Sequence, residues 1–207
     1  AEVLKDNQVM QELDISNNEL GWKAYESADM SGVIAISDAI PTMGALEKLI
    51  FGGDKYDDWS TGEKKEITPE PATLEVGMTE ANLSGKNLQA GGAIIVSAWI
   101  SHKDNGALVK LNMSNNDINS NTYGEQAAAP GKALADALAG NTVLKELNLS
   151  NNILKAPFAA AFAVAAIGVP QRSASRTMSA CHWWVCQMPG WRQWRQTLPF
   201  LGGLSPA

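Results

Sequence analysis

Apolar and polar residues alternate in a short recurring block along the first three quarters of the chain. The block reads LDISNNEL at 13–20, LNMSNNDI at 111–118 and LNLSNNIL at 147–154. LIFGGDKY at 49–56 and ANLSGKNL at 81–88 fit the same frame with substitutions. An apolar residue stands three places before each block: Met10, Leu46, Met78, Leu108 and Leu144. The composite is L-x-x-L-x-L-x-x-N-x-L, and successive blocks start 36, 32, 30 and 36 residues apart. Alternation over so short a stretch predicts a β-strand with one face inward. Strands repeated in this way predict a parallel sheet, which needs a crossover between neighbours.

The intervening segments supply the crossovers. Residues 92–102 (GAIIVSAWISH) and 131–139 (GKALADALA) have apolar positions at helical spacing. Residues 32–40 predict a shorter helix that Pro41 ends. Residues 156–167 (APFAAAFAVAAI) predict a helix with Pro157 in its first turn, where proline is tolerated. That helix is too short to span a bilayer. The connection at 57–77 differs: it has no helical pattern and holds Pro69 and Pro71, while Ile67, Leu74 and Val76 suggest extended structure. It reads as a non-helical loop or small hairpin inserted in the series. Asn18, Asn116 and Asn152 stand where the chain leaves a strand. A side-chain amide there can satisfy backbone groups freed by the turn.

The repeat pattern resembles the leucine-rich-repeat family, in particular its ribonuclease-inhibitor-like class with a helix in every repeat. A looser likeness extends to multi-repeat proteins of algae and protists. The resemblance covers residues 10–167 and departs from the family pattern at Asp54 and Lys86, where the N position is not Asn. It implies an α/β solenoid, a horseshoe of about five repeats, with a parallel sheet on the concave face and helices on the convex face. The expected organisation is a solenoid over 1–168 with the insertion at 57–77, then an irregular or disordered Trp/Arg-rich tail over 169–207. The function implied is non-enzymatic protein binding or scaffolding. A peripheral structural subunit of a large assembly is the alternative, and an accessory subunit of an enzyme is a third. The repeats begin at residue 10 with no sizeable polar cap, so a fragment of a longer array, or a subunit whose end docks on a neighbour, is also expected.

Composition narrows the field. The 207 residues are 45% hydrophobic and 18% charged, with a net charge of −6 and two cysteines. A core can form, a disulfide-stapled scaffold is excluded, and nucleic acid is not an expected partner because the basic footprint is missing. No apolar run approaches a transmembrane span, and an intracellular location is favoured. The charges are unevenly placed: residues 1–155 hold all 12 Lys and all 22 acids, and residues 156–207 hold all 4 Arg. Trp183, Trp184, Trp191 and Trp194 share that last stretch with Cys181 and Cys186. The tail could stack on single-stranded nucleic acid, line a partner helix or meet a membrane interface. An out-of-frame or intron-derived reading of the gene fits its composition best.

The strand frame assigns outward columns. The first is Glu12, Lys48, Glu80, Lys110 and Glu146; the second is Asp14, Ile50, Asn82, Asn112 and Asn148; the third is Ser16, Gly52, Ser84, Ser114 and Ser150. The alternating charges of the first column predict cross-strand pairs that hold the sheet. No aromatic residue or Arg occupies the columns, although binding centres favour them. Tyr56 and Trp59 stand instead in the insertion, where residues 54–80 hold eight acids and three lysines, a net of −5. A protein partner is therefore expected at Tyr56, Trp59, Asp57 and Asp58, with Lys48 and Glu80 as rim and Lys110, Asn112, Glu146 and Asn148 beside them. The sequons at Asn82, Asn112 and Asn148 read as by-products of the repeat. His102 reads as a surface residue at a helix end. Cys181-His182-…-Cys186 lacks a second ligand pair for zinc, and Asp54, Asp57 and Asp58 lack the calcium-loop pattern. No cofactor and no catalytic constellation are expected.

Overall fold

The computed structural model of the chain describes residues 3–20, 29–58, 61–118 and 127–167, the last six of these by backbone alone. The expected tail over 169–207 lies outside them. Among the described residues thirteen short elements follow in order. Strand β1 (Glu12–Asp14) leads to helix α1 (Ser31–Ala39), which ends in a 3₁₀ turn over Ile40–Thr42. Strands β2 (Lys48–Phe51), β3 (Tyr56–Asp58), β4 (Lys65–Ile67), β5 (Ala72–Glu75) and β6 (Glu80–Asn82) come next. Helix α2 (Gln89–Ile100), strand β7 (Lys110–Asn112), helix α3 (Ala129–Gly140), strand β8 (Glu146–Asn148) and helix α4 (Ala156–Ile167) complete the series. The fold is mixed α/β, and no helix among the described residues is long and apolar enough to cross a membrane.

The recurring blocks meet in register. β1 pairs with β2 in parallel, aligning Leu13 with Leu49. β6, β7 and β8 pair in parallel, aligning Ala81, Leu111 and Leu147. Within each parallel pair the same position of one block thus lies beside its counterpart in the next, and Leu49, Ala81 and Leu111 are buried in the core. Each helix packs on the next, α1 on α2, α2 on α3 and α3 on α4.

The sheet is not parallel throughout, against the sequence expectation. β5 runs antiparallel beside β2, where β6 was expected, so the described strands form two three-stranded sheets and the β3–β4 hairpin. The cause lies in the 57–77 connection. Its prolines deny it a crossover helix, and its apolar alternation makes a strand whose Ala72 and Leu74 are buried. That strand occupies the edge of β2: Phe51 aligns with Ala72 and Lys48 with Glu75.

The turns after the strands obey two side-chain rules. Position five of every block is left-handed, with φ of +55° at Asn17, +81° at Gly53, +67° at Gly85, +56° at Asn115 and +53° at Asn151. Gly and Asn are the residues that adopt this conformation most readily, so their interchange here expresses one constraint. Position six carries the bridging amide. Asn116 Oδ1 accepts the N–H groups of Lys86 (2.9 Å) and Leu88 (3.4 Å), and its Nδ2 donates to Leu83 O (2.7 Å) and Ser114 O (3.1 Å). Asn152 repeats this one block later, accepting from Asn116 N (2.9 Å) and Ile118 N (3.4 Å) and donating to Met113 O (2.8 Å) and Leu149 O (3.0 Å). Asp54 keeps the acceptor half, taking the Glu19 N–H at 2.9 Å. Lys86 offers no acceptor, and it stands at the junction that β5 interrupts. Its ammonium lies 3.6 Å from Glu70 instead.

Two substitution pairs test this account. Asn116→Ala strips four backbone groups of a partner in a buried turn and is expected to destabilise by about 2–4 kcal/mol. Lys86→Ala, at the same block position, is expected to stay within about 0.5 kcal/mol. Equal losses in denaturant melts would contradict the bridging role. Leu111 is 2% exposed, whereas its counterpart Leu147 in the end strand is half-buried. Leu111→Ala should then cost about 2–5 kcal/mol and Leu147→Ala only about 1–2 kcal/mol, read by the same melts.

Candidate functional site

The outward columns are largely committed to one another. In the first column Lys48 Nζ meets Glu12 Oε1 at 3.2 Å, and Lys110 Nζ lies 3.1 Å from Glu80 and 3.9 Å from Glu146. The expected alternation therefore pairs within each parallel sheet. Between the sheets it fails: Glu75 of β5 is the strand neighbour of Lys48, in place of Glu80. The Glu80 and Glu146 carboxylates raise the Lys110 pKa, the hydrogen bond that Lys110 donates to Glu80 most strongly.

The second column does local work that the sequence reading missed. Asp14, Asn82, Asn112 and Asn148 each turn an Oδ1 back to accept the N–H two residues on, at Ser16 (2.9 Å), Ser84 (3.2 Å), Ser114 (3.1 Å) and Ser150 (3.0 Å). Such Asx turns end the strands. The signal was present in the sequence as D/N-x-S in four of five blocks, and it was read as surface. The Ser16 backbone hydrogen bond, first among several causes, lowers the Asp14 pKa. Asn112 Nδ2 also donates to Asn82 Oδ1 at 3.0 Å, so the amides at 112 and 148 are less available to a partner than expected.

The β3–β4 hairpin carries the aromatic part of the expected site. Tyr56 stands opposite Ile67 and is 41% exposed. Trp59 lies outside the described residues. Asp57 faces Glu66 across the strands, a repulsive pair that is relieved on both sides. Lys64 lies 3.0 Å from Asp57, and Lys55 lies 3.0 Å from Glu66. Asp58 aligns with Lys65. The structure thus brings Tyr56, Asp57 and Asp58 together on one hairpin. Among the described residues no group of three or more His, Cys, Asp or Glu is placed to hold a metal. Cys181, His182 and Cys186 lie outside them.

His102 corrects the surface reading. It is 3% exposed, and its ring stacks on Trp99 with centroids 5.4 Å apart and planes 9° apart. Nε2 lies 2.9 Å from Met43 O, which can only accept, so Nε2 carries the proton. Nδ1 faces the Asp104 N–H at 3.4 Å. The ring joins the end of α2 to the turn after α1, a role no local pattern announces. On the helical side, a groove of about 440 Å³ lies over α2 between Ile34 and Asp38 of α1 and Ala133 and Asp136 of α3. Its serines at 37, 97 and 101 turn their hydroxyls back to carbonyls of their own helices.

No family model matches the chain, and neither a curated protein nor a solved structure matches it.

The Lys110 cluster has a pH signature. A folded pKa above the unfolded one gives stability that is full below the unfolded pKa and is lost as pH rises through the folded one. Lys110→Gln is expected to flatten the alkaline fall in melting temperature relative to the parent chain. The difference should shrink in high salt, because the site is exposed and screened. An unchanged alkaline profile would contradict the coupling.

Proposed function

We propose that the chain is a non-enzymatic protein-binding or scaffold module of the leucine-rich-repeat type, in which stacked β–loop–α units present an extended face. The single observation that carries this reading is the coincidence of sequence repeat and spatial register. Ala81, Leu111 and Leu147 align across β6, β7 and β8, with the bridging amides of Asn116 and Asn152 one turn on. Repeating units of this kind build broad surfaces for other macromolecules. The contact region we assign comprises Tyr56, Asp57 and Asp58 on the hairpin, Trp59 next to them in sequence, the half-buried Lys48, and the exposed charges Glu80, Lys110 and Glu146. Tyr is a residue that concentrates binding energy, and a charged surround speeds encounter with a complementary partner.

The test uses the immobilised 207-residue chain and an extract of its native source. Tyr56→Ala and Lys110→Glu are compared with the parent for recovery of the same stoichiometric partner. Tyr56→Ala is expected to weaken capture roughly tenfold with an unchanged melting temperature, as the loss of an interface anchor does. Lys110→Glu is expected to weaken it as much while lowering the melting temperature, because it sets three carboxylates side by side on adjacent strands. Undiminished capture by both variants would remove the hairpin and the charged column from the functional account.

A further inference from the structure

The geometry points to a second interaction surface at the β8 edge, built to receive one more parallel strand from a protein partner that places a basic residue beside Glu146. It is separate from the hairpin and stands whether or not the hairpin binds.

β8 is the last strand of its sheet, and its outer edge repeats groups that every earlier parallel junction uses. At those junctions the third and fifth residues of a block donate N–H to the following block: Ile15 to Ile50 O (2.8 Å), Leu83 to Asn112 O (2.8 Å), Met113 to Asn148 O (2.8 Å), Asn17 to Gly52 O (2.8 Å), Gly85 to Ser114 O (3.1 Å) and Asn115 to Ser150 O (3.1 Å). In the last block these donors are Leu149 and Asn151, and they have no acceptor among the described residues. The turn has changed accordingly. Ile118 N–H is held by the Asn152 side chain of the next block, whereas its counterpart Leu154 N–H folds onto Asn152 O at 2.8 Å. Burial shows the same open end. Leu108, Leu111 and Ile118 are 2%, 2% and 0% exposed, but Leu144, Leu147 and Leu154 are half-buried and the neighbouring Ile153 is 55% exposed.

Charge and side-chain chemistry select the occupant. Each strand of the parallel junctions places the opposite charge beside its neighbour, so the strand after Glu146 should carry a cation. Glu146 is also the weaker partner of Lys110, at 3.9 Å against 3.1 Å for Glu80. A second copy stacking head to tail would set Glu12 of its β1 against Glu146, a like-charge pair that opposes assembly. The receiving turn also needs a side-chain acceptor, as Asp54, Asn116 and Asn152 provide at the earlier junctions. Residues 168–207 carry four Gln but no copy of the L-x-x-L-x-L-x-x-N-x-L frame, and so do not supply a matching strand and turn. The remaining fit is a partner strand with Lys or Arg opposite Glu146 and Asn or Asp in the turn that follows.

The probe is an eleven-residue peptide copying residues 108–118 of this chain, LVKLNMSNNDI, which carries both features. It is titrated into the full chain while amide hydrogen exchange is followed. We expect binding with slowed exchange at Leu147, Leu149 and Asn151. The peptide with K110E should bind roughly tenfold more weakly, and Glu146→Lys in the chain should reverse that preference. The Tyr56→Ala chain should bind the peptide as the parent does, which separates this result from the hairpin test. Absence of binding, protection elsewhere, or affinity indifferent to charge would each overturn the proposal. So would sedimentation of the free chain as a dimer whose β8 amides are already protected, because a second copy would then hold the edge.

Discussion

Side-chain amides that substitute for backbone partners, the buried Asn116 and the half-buried Asn152, hold the described stack in register. A strand of three residues makes too few ladder bonds to fix its neighbour alone, and the chain must reverse direction immediately after it. The turn then leaves N–H and C=O groups inside the protein, where each unpaired group carries a large desolvation cost. Asn116 and Asn152 collect these groups from two successive blocks at once: the oxygen accepts from the preceding block, and the nitrogen donates to a carbonyl of each. Removing either amide separates two turns, because neither turn can satisfy itself.

The same constraint explains where the series is irregular. Asp54 can replace Asn because the acceptor half suffices to hold Glu19 N–H. Lys86 can replace it because β5 has taken the edge of β2, leaving no adjoining ladder for an acceptor to serve. The insertion and the odd lysine are therefore one event seen at two places. The hairpin that precedes β5 then extends from the interrupted junction with its own ion pairs, Lys64 with Asp57 and Lys55 with Glu66. These pairs lower its net field and leave Tyr56 as an exposed aromatic group among its described residues.

Burial along the helical layer follows from crowding between neighbours. Every residue of α2 from Ala90 to Ile100 is buried, between α1 and α3. Glycine and alanine at 90–93 and 98 permit the close approach. Gly131 plays this part in α3, where a β-carbon would sit 2.5 Å from Phe158 O of α4. His102 lies where α2 leaves the layer, and its single acceptor, Met43 O, is 59 residues away. A residue whose partner is that distant in sequence gives no local sign of being buried.

Much of the architecture was legible because it is written in short-range pattern. Alternation around Leu13, Leu111 and Leu147 marked the strands, helical spacing marked α2 and α3, and Pro69 and Pro71 marked the connection that could not be helical. The left-handed position at Asn17, Gly53, Gly85, Asn115 and Asn151 was equally present as an Asn/Gly alternation. These features depend on the backbone preferences of a few consecutive residues, which a sequence states directly. Only the tertiary structure decided that β5 would run antiparallel and divide the sheet, and that Glu75 would replace Glu80 beside Lys48. It alone decided that His102 would be buried and that the Leu149 and Asn151 N–H groups would find no acceptor among the described residues. Each of these depends on which segment reaches an unsatisfied group first in space, and that contest is between residues far apart along the chain.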